Sequence, residues 1–213
     1  MEELVITAVG PDRPGLVGRL TALQNVLTGR LGYVSLWRSM ALFYTRHDRG
    51  LALDALERVG MLHKAVQRSD LLSGGEKQRV AIARALAQQP SVLLADEPVA
   101  NLDPELASGV LEDLRRISKE SGVATLLNVH NIVQARQYAD RIIGIAQGRV
   151  VFDGAPGDFG EEALRNVYRF DREDSRAALA GVLEPLVLLD LDRALQEGEH
   201  RADTHERALE ERL

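Results

Sequence analysis

Two apolar runs separated by one capped helix constrain this chain more than any other feature in it. Val92-Leu93-Leu94-Ala95 contains no polar residue, as a strand covered on both faces requires. Asp103-Pro104 supplies an N-cap followed by a proline at the first helical position. The spacing therefore predicts a helix from Pro104 to about Lys119, ended by Gly122. Val123 to Val129 is the second apolar run. A strand, a helix and a strand of these lengths form a crossover unit, and such units are almost always parallel and right-handed. An α/β fold built on a parallel sheet is expected. Both strands then finish on one rim, where open α/β sheets bind their ligands. Asp96 and Glu97 close the first strand and His130 closes the second, so two carboxylates and an imidazole should converge on one crevice.

The chain around this unit divides into four stretches: 1–17, 18–70, 71–154 and 155–213. Leu4 to Val9 is a short strand candidate followed by the turn Gly10-Pro11-Asp12-Arg13-Pro14-Gly15. Leu16 to about Asp70 reads as several helices of mixed charge. Ser73-Gly74-Gly75-Glu76 opens a helix that runs to about Gln88 and stops before Pro90. Arg141 to Asp153 reads as a hairpin with Gln147-Gly148 at its turn. From Pro156 onward the pattern reads as helical. Leu183 to Leu195 is apolar enough to pack or to pair with a partner helix, and Glu199 to Leu213 reads as a solvated helix or frayed end. His200 and His205 stand five apart, a poor spacing for a metal pair on a helix, and are expected to be exposed.

Charge and composition narrow the function classes. The net charge of −6 argues against a general nucleic-acid binder. That excess belongs to the end of the chain, where 12 acidic and 6 basic residues follow from Asp171 onward. The absence of cysteine excludes disulfides and thiolate metal sites and fits a cytoplasmic protein. No apolar run approaches the ~18 residues of a membrane span, and Met1 to Ile6 does not read as a signal peptide.

Four short motifs carry a resemblance. Leu72-Ser73-Gly74-Gly75-Glu76-Lys77-Gln78 resembles the signature motif of ABC ATPases. Leu93 to Pro98 resembles their Walker B strand, Asn101-Leu102-Asp103 their D-loop, and His130 their switch histidine. All four occur in the family's order and spacing, and the resemblance runs from about Leu16 to Tyr168. Leu16 to Trp37 and Tyr138 to Gly154 look most like the ATPases of phosphonate importers. The resemblance implies an incomplete P-loop NTPase-like sheet with a helical lobe and a helical C-terminal tail. It implies ATP and Mg²⁺ as ligands and ATP hydrolysis coupled to import. It also implies a dimer partner of the same ATPase kind and a transmembrane permease touched by the helical lobe. A cytoplasmic position, peripheral at the inner face of the cell membrane, follows from the same resemblance.

The implied roles agree with the chemistry of the residue types. Ser73, Gly74 and Gly75 stand at a helix N-terminus, whose free amides and dipole attract phosphate. With Gln78 they would contact ATP held by the opposite subunit. Asp96 would hold Mg²⁺ through water, Glu97 would orient or deprotonate the attacking water, and His130 would contact the γ-phosphate. Asp103 would help to join the subunits. Plainer readings stay open at this point. Ser73 and Glu76 also form an ordinary capping box, Asp103 is also an N-cap, Asp96-Glu97-Pro98 is also a polar strand end, and a lone histidine is usually structural.

The start of the chain departs from the family. A phosphate-binding loop has the pattern G-x-x-x-x-G-K-[ST], whose lysine neutralises charge and whose hydroxyl binds Mg²⁺. Gly10 to Val17 has the glycine spacing, but Leu16 and Val17 stand at the lysine and hydroxyl positions. Pro11 and Pro14 remove amide donors and Asp12 would repel phosphate. No aromatic adenine contact precedes this stretch, and Gln24 comes too late to serve as the glutamine loop. A sheet that has lost the strands flanking the loop is expected to carry an uncovered edge. Val5 to Val17 resembles instead the opening of an ACT domain, so a small-molecule sensor is an alternative. A rearranged, non-catalytic gene product acting only as a partner is another.

Overall fold

A computed structural model describes residues 6–10, 15–33, 44–129, 131–168 and 186–189. The expectations for Pro11, Asp12, Pro14, His130 and Glu199 to Leu213, with His200 and His205, lie outside them.

The crossover unit forms as its sequence predicts. Strand β2 (Val92–Asp96) leads into a helix over Pro104–Ser121, which Asp103 caps by accepting a hydrogen bond from Leu106 N at 3.0 Å. Gly122 ends that helix in the left-handed region at φ 64°, which favours glycine. Strand β3 (Ala124–Asn128) then pairs with β2 in parallel, with Asp96 opposite Asn128. Strand β1 (Ile6–Val9) lies on the other side of β2, also parallel, with Val9 opposite Ala95. After β3 come the helix Ile132–Tyr138 and the hairpin β4 (Arg141–Ala146) and β5 (Arg149–Gly154). Gln147 and Gly148 both have positive φ, 51° and 72°, as a tight two-residue hairpin turn demands. Among the described residues the sheet runs β1-β2-β3-β6 (Leu186–Leu189)-β4-β5, which leaves β1 and β5 on its edges.

Strand β6 (Leu186–Leu189) corrects the helical reading of the chain after Pro156. One helix does follow, Glu161–Tyr168, but Leu186-Val187-Leu188-Leu189 enters the sheet between β3 and β4, antiparallel to both. A run of four apolar residues is too short to distinguish a buried strand from a helical turn by periodicity. The open ladder edges of β3 and β4 decide it, because each has backbone groups that need partners.

A second layer is helical. We number the helices in chain order: α1 (Ala22–Thr28), α2 (Arg46–Arg58), α3 (Gly74–Leu86), α4 (Pro104–Ser121), α5 (Ile132–Tyr138) and α6 (Glu161–Tyr168). Helices α1, α2 and α3 pack on one another, and α3 also reaches β1 and α4, which joins this group to the sheet. Val26, Leu56, Val80 and Ile82 are fully buried where the three helices meet, and Leu93, Leu111, Leu114 and Leu127 are buried around the central strands. Each such side chain stabilises the fold by roughly 1.5–3 kcal/mol. Arg30, 7% exposed, is anchored among the helices by Asp48 Oδ1 at 3.1 Å and the Ala87 carbonyl at 3.2 Å. Asn25 fastens the segment before α1, accepting from Val17 N at 2.8 Å and donating to Ser69 Oγ at 2.8 Å. No helix among the described residues is long and apolar enough to cross a membrane.

Candidate functional site

The rim formed by the ends of β2 and β3 holds the first cluster. Asp96 is the last residue of β2 and is exposed. Its Oδ1 accepts a hydrogen bond from Asn128 Nδ2 at 2.9 Å, across the parallel pair. Glu97 follows with φ 45°, an uncommon conformation for a residue with a side chain. Its amide donates to the Asn128 carbonyl at 3.0 Å, which holds the turn-out of the chain against the end of β3. Asn128 therefore fixes both acidic residues, one through its side chain and one through its backbone. Sequence reasoning passed over Asn128. Its signal is a single amide within the otherwise apolar run Leu126 to Val129. His130 falls outside the described residues, so the meeting of carboxylates and imidazole rests on the neighbouring strand ends alone.

The N-terminal tip of α3 holds the second cluster. Ser73 is its N-cap, and its hydroxyl and the Glu76 carboxylate exchange hydrogen bonds with one another's amides. Ser73 and Gly74 are exposed, while Gly75 is buried. Lys64 donates to Glu76 Oε1 from the preceding loop. The Lys64 hydrogen bond, with help from Ser73, holds the Glu76 carboxyl below the usual glutamate range. Gln78, one turn into α3, is 4% exposed, and its Nε2 has no hydrogen-bond partner among the described residues.

One turn links the two clusters. The Ala100 amide donates to the Glu97 carbonyl at 3.1 Å and the Leu102 amide to the Val99 carbonyl at 3.2 Å. Asn101 takes φ 64° between them. Leu102 and Leu106 then lie against the α3 tip. A Cβ placed on Gly74 would stand 3.3 Å from Leu102 Cδ2, and one on Gly75 would stand 3.6 Å from Leu106. Asp103 is exposed and caps α4 at the end of this turn.

The geometry has counterparts among known proteins. The sequence profile of the ABC transporter family matches residues 6–100. The phosphonates import ATP-binding protein PhnC of Bradyrhizobium diazoefficiens is 51% identical over 159 residues, covering 75% of this chain and 59% of that relative. A namesake from Nostoc sp. is 54% identical over 153 residues, covering 72% of this chain and 58% of its own length. Residues 6–100 are thus ABC transporter family sequence, and the chain is similar to that family's ATP-binding proteins.

Solved structures agree with that similarity. The ABC transporter component cbiO1 of Clostridium perfringens superposes with a TM-score of 0.63 at 29% identity, covering 81% of this chain and 66% of that one. The ATP-binding cassette MJ0796, a dimer in a post-hydrolysis state with ADP and Pi, gives 0.54 at 31% identity, covering 71% and 62%. The chain thus spans about three fifths of the length of the curated ABC relatives it matches. The α/β sheet with its helical layer is the ABC ATPase fold.

Proposed function

We propose that the chain is an ATP-binding subunit of an ABC importer, of phosphonate or phosphate-ester type. The observation that carries this reading is the 97–103 turn, hydrogen-bonded to Glu97 at one end and packed on Gly74 at the other. It joins an acidic rim to a glycine-bearing helix tip. Phosphoryl transfer asks mainly for positioning and charge neutralisation, and these residue types supply both.

Within that reading each residue has a task. Ser73, Gly74 and Gly75 offer backbone amides and a helix dipole to the γ-phosphate of ATP held by a partner ATPase. Gln78 backs that tip from inside α3 and turns its unpartnered amide toward nucleotide when the partner docks. Glu97 positions the attacking water, and His130 contacts the γ-phosphate. Asp103 meets the partner across the subunit boundary. Asp96 suits Mg²⁺, which binds proteins through one or two carboxylates and keeps much of its water. Its carboxylate is exposed on the rim. The helical lobe of residues 18–70, which includes α1 and α2, faces the permease, with the subunit peripheral at the cytoplasmic face of the membrane.

The reading assigns no independent turnover to residues 1–213. Leu16 and Val17 stand where the phosphate loop has its lysine and hydroxyl, so nothing there neutralises the β- and γ-phosphates. ATP turnover of the purified chain is expected to match that of a Glu97→Gln control, measured by phosphate release. Co-assembly with an intact ABC ATPase should leave one working composite site, silenced when Ser73→Arg blocks the tip. Turnover by the chain alone, abolished by Glu97→Gln, would overturn the composite-site part. An unchanged rate with Ser73→Arg would overturn the role of the tip.

A further inference from the structure

One stripe of α4 faces the other helices. Leu106, Gly109, Asp113 and Arg116 follow one another at helical spacing, so they share a face. At the N-terminal end Leu106 backs Gly75 of the α3 tip, 3.6 Å from the position a Cβ would take. In the middle Gly109 leaves room for Arg79 of α3, whose Nη2 would stand 3.0 Å from an added Cβ. Asp113 holds two guanidiniums. Arg116 Nη2 donates to its Oδ1 at 3.1 Å, and Arg79 Nε stands 3.2 Å from its Oδ2. The second contact lies within ion-pair distance but off the hydrogen-bond line, so charge alone holds it. At the far end Arg116 also donates to the carbonyl of Arg58, the last residue of α2. Arg58 returns the contact, donating through Nη1 to Ser121 Oγ at 2.7 Å.

We propose that α4 is a strut through which α2 sets the position of the 97–103 turn against the α3 tip, with Arg79, Asp113 and Arg116 as its positioning residues. Three observations carry this. The stripe is anchored at both ends, on the α3 tip and on the end of α2, and a helix is stiff across the roughly 15 Å of rise between Leu106 and Arg116. Asp113 is 17% exposed and ties Arg79 of α3 to Arg116. Partly buried ion pairs add little net stability, but guanidinium–carboxylate contacts fix angle and register. Glycine is a poor residue for the middle of a helix, and Gly109 is explained by the guanidinium that lies against it. A shift of α2 thus reaches Arg116 through the Arg58 carbonyl and passes along α4. It arrives at the N-cap Asp103 and at Leu102 on Gly74. Coupling between sites travels through stiff elements and the ion pairs that join them. Under the nucleotide reading above, α2 belongs to the permease-facing lobe, so the strut reports the position of the permease to the phosphate-binding tip. That last step rests on the reading; the strut does not.

The test follows hydrogen exchange in the full chain by mass spectrometry. Arg116→Met releases the α2 carbonyl, and Arg116→Lys keeps a cation there, where the helix dipole favours one. In Arg116→Met, peptides covering 97–103 and 73–79 should exchange about fivefold faster, with the hairpin 141–154 unchanged. Arg116→Lys should restore the parent pattern. Unchanged exchange at 97–103, or equal acceleration in the hairpin, would overturn the strut. Should Arg116→Met unfold by circular dichroism, Gly109→Ala carries the test, because it improves the helix while crowding Arg79. Its melting temperature should match or exceed that of the parent. In co-assembly with an intact ABC ATPase its kcat should fall about tenfold, the scale of a small misplacement. KM for ATP should not change, because the partner's loop holds the nucleotide. A kcat equal to the parent's would overturn the positioning role of Arg79. Selective exchange without composite turnover in the parent itself supports the strut and counts against the nucleotide reading alone.

Discussion

Leu102 rests against Gly74, with only 3.3 Å between its Cδ2 and the position a Cβ would take. That contact ties the turn after Glu97 to the tip of α3, so the tip tolerates little added bulk. Gly74→Ala asks Leu102 to move by a few tenths of an ångström, while alanine improves the helix by up to about 1 kcal/mol. The variant is expected to fold with a urea midpoint close to the parent's. Gly74→Asp should also fold, since acidic residues suit a first helical turn, yet it places a carboxylate where phosphate would dock. In co-assembly with an intact ABC ATPase its composite turnover is expected to fall at least tenfold. Phosphate release measured for the two variants separates a packing effect from an electrostatic one.

The buried pair of Arg30 and Asp48 sets the acid stability. Their side chains are 9% and 5% exposed. Burial by itself would raise the Asp48 carboxyl, but hydrogen bonds from Thr45 and Arg30 outweigh it and hold the group below its ordinary value of 3.8. A carboxyl depressed in the folded state favours folding above its unfolded value. That contribution disappears as pH falls through the depressed folded value. Stability should therefore be flat in this respect above about pH 5, then decline with acid below pH 3.8. Asp48→Asn should flatten that acid limb in urea titrations at stepped pH. Asp48→Ala leaves Arg30 charged and buried, and is expected to cost about 3–5 kcal/mol at neutral pH.

Much of the sheet was legible because its signals are local. Asp103-Pro104 and Gly122 bound one helix, Ser73 and Glu76 open another, and Gln147-Gly148 dictates the hairpin turn; each acts within four residues. Contacts that pair distant segments were not legible. Leu186 to Leu189 reads as well in a helix as in a strand, and only the unfilled ladder between β3 and β4 settles it. Asn128 reaches Asp96 across 32 positions of sequence, and Arg30 reaches Ala87 across 57. No spacing rule flags such pairs. The acidic doublet and the glycine tip were visible as residue types, whereas the turn that connects them needed coordinates.

Glu76 has two jobs that substitution can separate. It completes the capping box with Ser73 and pairs with Lys64. Glutamine also serves a capping box, so Glu76→Gln removes the ion pair and keeps the cap. The two side chains are 28% and 26% exposed, a setting in which an ion pair adds no more than about 1 kcal/mol. Glu76→Ala removes both interactions and should cost about 1 kcal/mol more. Because the Glu76 carboxyl is depressed by Lys64 and Ser73, the difference between parent and Glu76→Gln should be full near neutral pH and vanish with acid. Chemical unfolding of the two variants, with Lys64→Met as the reciprocal control, checks the partition.

Gly29 and Gly32 stand three residues apart and should respond to alanine in opposite ways. At Gly29 the chain leaves α1 with ordinary helical φ of −61°, so the backbone does not ask for glycine. Space does. A Cβ there would collide with the carbonyl oxygen of Arg84, on α3, and would lie 3.2 Å from both Arg84 Cγ and the Val26 carbonyl. The nearest of these atoms belongs to backbone, which cannot rotate aside as a side chain can. Relief requires α1 and α3 to separate, and these two helices carry the buried contacts of Val26 and Ile82. Overpacking of this kind costs about 1–3 kcal/mol. At Gly32 nothing lies within 4 Å of the same position, so Gly32→Ala should be neutral or slightly stabilising through a less flexible unfolded chain. Thermal melts of the two variants under one condition would show Gly29→Ala several degrees below the parent and Gly32→Ala level with it. Equal melting temperatures would mean that α1 does not pack this closely on α3.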